Sequence, residues 1–107
     1  MATAATIPLT ISPEADAFIA EVGQRREFEA MLEHARQTVP GLRAFEVILD
    51  DTPETGPPGV VIYAHRGDRG PQDDPTNRRF GRWAVETFPP EVCQNFACLS
   101  IYHSDGR

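Results

Sequence analysis

A chain of 107 residues has room for one domain with one hydrophobic core, and its 40% apolar and 24% charged residues are typical of a globular protein. The formal net charge of −6 disfavours duplex nucleic acid and anionic membranes as partners, because both attract basic surfaces. All ten basic side chains are arginine, so the chain lacks the lysine that Schiff-base chemistry and a phosphate-binding P-loop require.

The N-terminal residues favour a soluble, cytoplasmic protein. The opening MATAATIPLTIS has neither the basic start nor the long apolar segment of a signal peptide. No apolar run approaches the roughly 20 residues that span a bilayer. We expect a single domain over 1–107, with flexible ends at 1–5 and 104–107 and mobile loops at 51–58 and 66–74.

The first predicted elements are a short strand and two helices. Apolar residues alternate over 7–11 as in a strand, and Pro8 would confine that strand to a sheet edge. Ser12 and the proline after it are typical of a helix start. Two apolar stripes of helical spacing follow, out of phase with each other, and Gly23 lies between them, so we expect two helices. The stripes comprise Ala15, Phe18, Ile19 and Val22, and then Phe28, Met31, Leu32, Ala35 and Val39.

Two strands follow the helices. Pro40 and Gly41 end the helical pattern, and the apolar segment 42–50 is typical of a strand. After a loop rich in proline and glycine, residues 60–65 predict a second strand. A hairpin is the simplest pairing of these two segments.

The segment 77–88 could form a strand or a helix. Strand alternation would give a face that mixes aromatic and charged residues, whereas helical spacing separates the two kinds, so a helix is favoured. Asp74 and Pro75 are suited to its start, Pro89 and Pro90 to its end and to a short following helix, and 96–103 to a last strand. The helical apolar face comprises Phe80, Trp83, Ala84, Thr87 and Phe88.

These elements predict an α+β domain with an antiparallel sheet of three or four strands, packed on one face by two or three helices. The expected order is strand, helix, helix, strand, strand, helix, helix, strand. Some alternating positions of the strand 42–50 are apolar on both faces, namely Phe45, Val47 and Leu49 on one and Ala44 and Ile48 on the other. A homodimer partner would be a natural cover for the second face.

No residue pattern in the chain predicts a catalytic or metal site. Cys93 and Cys98 are five residues apart, which matches neither a redox motif nor a zinc-ligand pair, so we expect buried and inert thiols. His34 lies on a charged helix and is expected to be solvated. We expect no cofactor, no metal and no catalytic residue, although an enzyme is not excluded.

The glutamates of the second helix are interpreted as a solvated surface. They alternate with arginines at spacings that form ordinary ion pairs, and this reading is favoured over acid–base catalysis. The tripeptide Arg66-Gly67-Asp68 spells a cell-adhesion motif and is interpreted as a chance turn. The charged residues concerned are Glu27, Glu29 and Glu33 with Arg25, Arg26 and Arg36.

An arginine face on the helix 77–88 is the best candidate binding site. Arg78 and Arg82 stand one turn apart, Arg79 is next to them, and Trp83 begins the apolar side. Such a patch can bind an acidic partner segment, a phosphate or a carboxylate. The alternative is a solvated helix face with an ion pair between Arg82 and Glu86, and with Trp83 in the core.

From residue 25 onward, the predicted order is helix, strand, strand, helix, short helix, strand. This order resembles the topology of the type II KH domain of RNA-binding proteins. The resemblance implies a G-x-x-G loop between the two central helices that clamps the nucleic-acid backbone. Here that stretch is Phe88-Pro89-Pro90-Glu91, which has no glycine and carries an acid.

Three functional hypotheses remain. The leading one is a non-enzymatic interaction or regulatory protein, homodimeric, that binds a protein partner through residues 74–103. The alternative is a protein that binds a small anionic ligand, or a cofactor-independent enzyme, with a pocket between the helix 75–88 and the sheet that uses His65, His103 or Arg82. The third is an RNA binder on a degenerate KH-like scaffold; the acidic charge places nucleic acid last.

Overall fold

The computed structural model describes residues 7–52, 56–67 and 75–102, and it shows an α+β fold with one four-stranded sheet and four helices. None of the helices in these residues is long and apolar enough to cross a membrane. The elements are β1 (Leu9–Ile11), α1 (Pro13–Val22), α2 (Arg25–Thr38), β2 (Leu42–Asp50), β3 (Gly59–Arg66), α3 (Thr76–Thr87), α4 (Pro90–Cys93) and β4 (Phe96–Tyr102).

The sheet has the strand order β1-β2-β3-β4 and is mixed, so the prediction of an antiparallel sheet was wrong. Only the hairpin of β2 and β3 is antiparallel, and this pairing confirms the predicted hairpin. β1 pairs with β2, and β3 with β4, in parallel. The reason is that a pair of helices joins the strands of each parallel pair, and a crossover of that length returns the chain in its original direction.

The helices cover one face of the sheet. Alternate strand residues, such as Phe45 and Val47 on β2 and Val60 and Ile62 on β3, are buried with the apolar stripes of the helices in one core. Phe28 of α2 stacks on Phe96 of β4 with ring centroids 6.1 Å apart. The intervening strand residues point to the other face, which no described helix covers.

The predicted start and end of α1 are confirmed. The Ser12 Oγ accepts a hydrogen bond from the Ala15 N–H at 3.1 Å, with proline in the first turn. Gly23 ends α1 at φ 69°, a left-handed conformation that favours glycine, and α2 begins two residues later.

The start of α3 differs slightly from the prediction. Pro75 precedes the first helical residue and does not occupy it, although its carbonyl accepts a hydrogen bond from the Arg79 N–H at 2.8 Å. The predicted cap Asp74 lies outside the described residues, as do the two predicted flexible ends and His103. The same holds for 53–55 and 68–74 within the two predicted loops.

Arg66 was predicted to lie in the mobile loop 66–74, and it is instead the last residue of β3. Its side chain is completely buried, and its Nη1 donates a hydrogen bond to the Thr76 Oγ1 at 3.3 Å. A buried guanidinium must be hydrogen-bonded, because the loss of its hydration is costly. An arginine buried in this way is not presented to an adhesion receptor.

Removal of the Ser12 cap tests the local basis of α1. We expect Ser12→Ala to lower the free energy of unfolding by about 1 kcal/mol, because the Ala15 N–H loses its acceptor. Ser12→Thr is the matched control and should cost clearly less, because its hydroxyl can accept the same hydrogen bond from the Ala15 N–H. Urea denaturation followed by circular dichroism measures both, and equal losses would contradict a capping role.

Candidate functional site

Among the described residues, no strand pairs with the outer edge of β4. The Ser100 N–H donates to the Asn77 Oδ1 at 2.7 Å, and so does the Ser100 hydroxyl at 3.0 Å, so this N–H points away from β3. Backbone groups of a strand point to alternate sides with a period of two. The N–H and C=O of Cys98 therefore lie on the same outer edge. They are two residues before Ser100, whose N–H is bonded to Asn77.

A groove of about 280 Å³ runs between this edge and helix α3. From the helix, Asn77, Gly81 and Val85 line it at intervals of one turn, and the strand contributes most of the opposite wall. Its walls are largely apolar. The strand residues that line it are Phe96, Ala97, Cys98 and Leu99.

Large apolar side chains are exposed at this groove. Among the described residues, the exposed large hydrophobic side chains are Val85 at 70%, Leu99 at 42% and Leu9 at 40%. The first two lie on opposite walls of the groove, and Leu9 lies at the far edge of the sheet. Exposed apolar side chains that line one groove are typical of binding surfaces.

Gly81 has no packing reason to be glycine. It lies in the interior of α3, where glycine costs about 1 kcal/mol relative to alanine. A Cβ atom placed on it would meet no atom within 4 Å. The fold therefore accepts a side chain here, and the absence of one widens the groove.

The arginine face lies beside the groove. Arg78, Arg79 and Arg82 are exposed and form no ion pair within the described parts of the chain. The alternative prediction of an ion pair between Arg82 and Glu86 was therefore wrong. At about 100° per residue, Arg78 and Arg82 lie within roughly 100° of Gly81 around the helix axis. By this helical geometry Arg78 and Arg82 flank the groove, outside the residues that line it, and we call them its rim. Arg79 lies about 160° from Gly81, on the far side of the helix.

Trp83 lies about 160° from Gly81 around the helix axis, on the side that packs against α2. Its indole stacks on the imidazole of His34 in α2, with centroids 3.8 Å apart and planes 4° apart, and Phe88 meets it edge-on at 5.4 Å. His34 is half-buried, so the expectation of a solvated side chain holds only for the part of the ring that Trp83 leaves exposed. Burial lowers the pKa of His34, which favours the neutral ring that stacks here.

The two cysteines also line the groove, and both are free thiols. The Cys93 Sγ donates to the Ala84 carbonyl at 3.4 Å. Burial raises the pKa of Cys98 to about 12. Its thiol is thus protonated at neutral pH and is a poor nucleophile.

His65 lies on the sheet face away from α3. Its Nε2 is 3.0 Å from the Glu46 Oε1, and its ring is tilted against Tyr63 at 6.4 Å. It cannot share a pocket with Arg82 on the helix-covered side. Within the described residues, no group of three or more His, Cys, Asp or Glu side chains could hold a metal ion.

The glutamates of α2 form surface contacts. Glu33 accepts from the Arg36 Nη1 at 2.9 Å and from the Gln37 Nε2 at 3.0 Å, and these two hydrogen bonds lower its pKa. The predicted surface ion pair is present at this position. Arg25 instead pairs with Asp16 of α1 at 2.6 Å, so one of the arginines links two helices.

A second groove of about 360 Å³ lies at the opposite edge, beside β1. It is larger, but its walls include four charged side chains, two of them joined in the ion pair of Glu33 with Arg36. Its edge strand has three residues, against seven in β4. The groove beside β4 is therefore the better candidate for binding an apolar group.

Comparisons with models of known protein families, with curated proteins and with solved structures found no match to this chain.

Sequence reasoning missed most of the groove. Arg78 and Arg82 were identified, but Asn77, Gly81 and Leu99 were not singled out. A signal was present in α3, where Gly81 and Val85 interrupt a helix whose other exposed positions are polar. The strand side left no signal, since an edge strand and an inner strand can have the same composition.

Substitution of Gly81 tests whether the fold needs glycine there. We expect Gly81→Ala to raise the free energy of unfolding by about 0.5–1 kcal/mol, because the helix gains propensity and the methyl meets open space. Gly23→Ala is the contrasting control and should destabilise the protein, since its φ is 69°. Both are measured by urea denaturation, and destabilisation by Gly81→Ala would reveal a structural role for this glycine.

Proposed function

We propose that this protein is a non-enzymatic interaction domain that binds a protein partner through its C-terminal half, in the groove between α3 and β4. The observation that carries the proposal is the exposure of Val85 and Leu99 on the two walls of a groove beside a free strand edge. Exposed apolar walls with a charged rim have the anatomy of a protein interface.

The groove gives less support to an anionic small ligand or an enzyme. Ligand pockets usually enclose about 300–1,000 Å³ and converge several polar groups on one point. This groove has about 280 Å³ and a largely apolar lining, Arg78 and Arg82 flank it without lining it, and Cys98 is held protonated. An apolar partner segment fits the lining better than a charged metabolite does.

The geometry of the corner after α3 gives no support to RNA binding. Phe88 and Pro89 are both extended, at φ −119° and −70°, and Glu91 follows in the first turn of α4. A loop that clamps a phosphate backbone needs exposed N–H groups and a positive environment. Two prolines and a carboxylate supply neither.

Charged substitutions on the groove walls test the proposal. We expect Val85→Asp and Leu99→Asp each to weaken binding of the partner by about tenfold or more, because an apolar contact is replaced by a buried charge. Leu9→Asp is the matched control, since Leu9 is as exposed as Leu99 but lies on the other edge strand.

The partner is first captured on the wild-type chain from an extract of the native host and purified. Its dissociation constants for the wild-type chain and the three variants are then measured by calorimetry. Equal affinity for the wild type and the two groove variants would contradict the proposal, as would a loss of affinity with Leu9→Asp alone.

We also propose that the uncovered sheet face binds a second copy of the chain. Ile48 and Val61 are cross-strand partners on this face, and Tyr63 pairs in register with Leu99 of the edge strand β4. An antiparallel or mixed sheet with an apolar second face is commonly covered by another layer. This surface and the groove are separable, because Val61 belongs only to the sheet face and Val85 only to the groove.

Sedimentation equilibrium at tens of micromolar tests the dimer. The wild type and Val85→Asp should sediment as dimers and Val61→Asp as a monomer, because the substitution places a carboxylate in an apolar contact. Circular dichroism of Val61→Asp checks that the fold persists. A monomeric wild type would contradict self-association through this face.

A further inference from the structure

We propose that the partner segment bound in the groove is an extended strand that adds to the free edge of β4, and that acidic side chains of this strand pair with Arg78 and Arg82. The inference rests on the proposed function, because it specifies the chemistry of the segment bound at the same site. Three independent features of the groove support it.

The backbone of β4 supplies the pairing groups. The N–H and C=O of Cys98 lie on the outer edge, as the direction of the Ser100 N–H shows. Edge strands with unpaired backbone groups are templates for strand addition. At Ser100 the edge is capped by Asn77, so an added strand pairs before this residue and ends there. The paired stretch is therefore short, and side-chain contacts must supply specificity.

The walls of the groove fit the side chains of a strand. Side chains of an added strand alternate between the two faces of the sheet. Those on the helix side enter the space that Gly81 leaves open, and those on the other side lie beside Leu99. A helix in the same place would leave the Cys98 backbone unpaired. Apolar, preferably β-branched, residues suit both positions.

The rim of the groove selects acidic segments. The whole chain has a net charge of −6, yet α3 carries three arginines and a single glutamate, Glu86. Within the described residues, Arg78 and Arg82 have no carboxylate partner. A carboxylate at one end of the added strand could form an ion pair with the guanidinium group of Arg78 or Arg82, whereas a basic segment would be repelled by them.

A defined peptide tests the inference on the ¹⁵N-labelled full chain. The probe is a blocked peptide of about six residues, a usual strand length, with alternating valine and threonine and an aspartate at each end. We expect saturable downfield movement of the Cys98 amide proton, as for an amide that acquires a hydrogen bond. N-methylation of the central peptide amides should weaken binding about two- to tenfold, because it removes backbone donors and keeps the side chains.

Matched variants separate charge from shape. Arg82→Gln should weaken peptide binding about two- to fivefold at low salt, and Arg79→Gln, on the far side of α3, should leave it unchanged. Gly81→Leu should abolish binding by filling the groove, and Gly81→Ala should reduce it in a protein that is at least as stable as the wild type.

Four results would overturn the inference. They are an unchanged Cys98 amide at millimolar peptide, equal binding of the N-methylated peptide, equal effects of Arg79→Gln and Arg82→Gln, and a Cys98 shift that depends on protein concentration without peptide. The last would identify a second copy as the occupant of the edge.

If the natural partner is lost with Val85→Asp while the peptide leaves Cys98 unchanged, the interaction function stands and strand addition fails. If Val85→Asp and Leu99→Asp leave the natural partner bound, the proposed function itself fails.

Discussion

The placement of both helical crossovers on one face of the sheet is the constraint on which the rest of this structure depends. Each crossover joins a parallel pair of strands, β1 with β2 and β3 with β4, and the hairpin joins the two pairs. The helices bury one face in the core, so in the part of the chain that the structure describes the second face is uncovered and β1 and β4 are the edges of the sheet. The two candidate surfaces are consequences of this arrangement.

Two of the contacts that hold helix α3 lie on either side of the groove. On the inner side of the helix, Trp83 stacks on His34 of α2. At its N-terminal end, Asn77 accepts two hydrogen bonds from Ser100 of β4. Because the helix is held by these contacts and not by packing at Gly81, a gap can persist along its middle without loss of the core.

The groove and the uncovered sheet face are adjacent because β4 belongs to both. Leu99 points to the uncovered face and also lines the groove. A strand added at β4 would extend the sheet and enlarge the face available to a second copy. Binding of a partner and self-association would then be linked through one strand, since each occupant changes the apolar surface available to the other.

The sequence by itself determined the elements of this protein. The Ser12 cap, the break at Gly23, the strand at 42–50 and the choice of helix over strand for 77–88 follow from local chemistry and from hydrophobic periodicity. The arginine rim was also visible, because helical spacing alone places Arg78 next to Arg82.

Only the tertiary structure decided how these elements meet. Strand direction, the burial of Arg66, the stacking of His34 on Trp83 and the free edge at Cys98 depend on contacts between residues far apart in sequence. Periodicity identifies a face of an element but does not identify what covers it. The groove was therefore hidden in the sequence, because its two walls come from separate elements whose packing brings Gly81 beside a free strand edge.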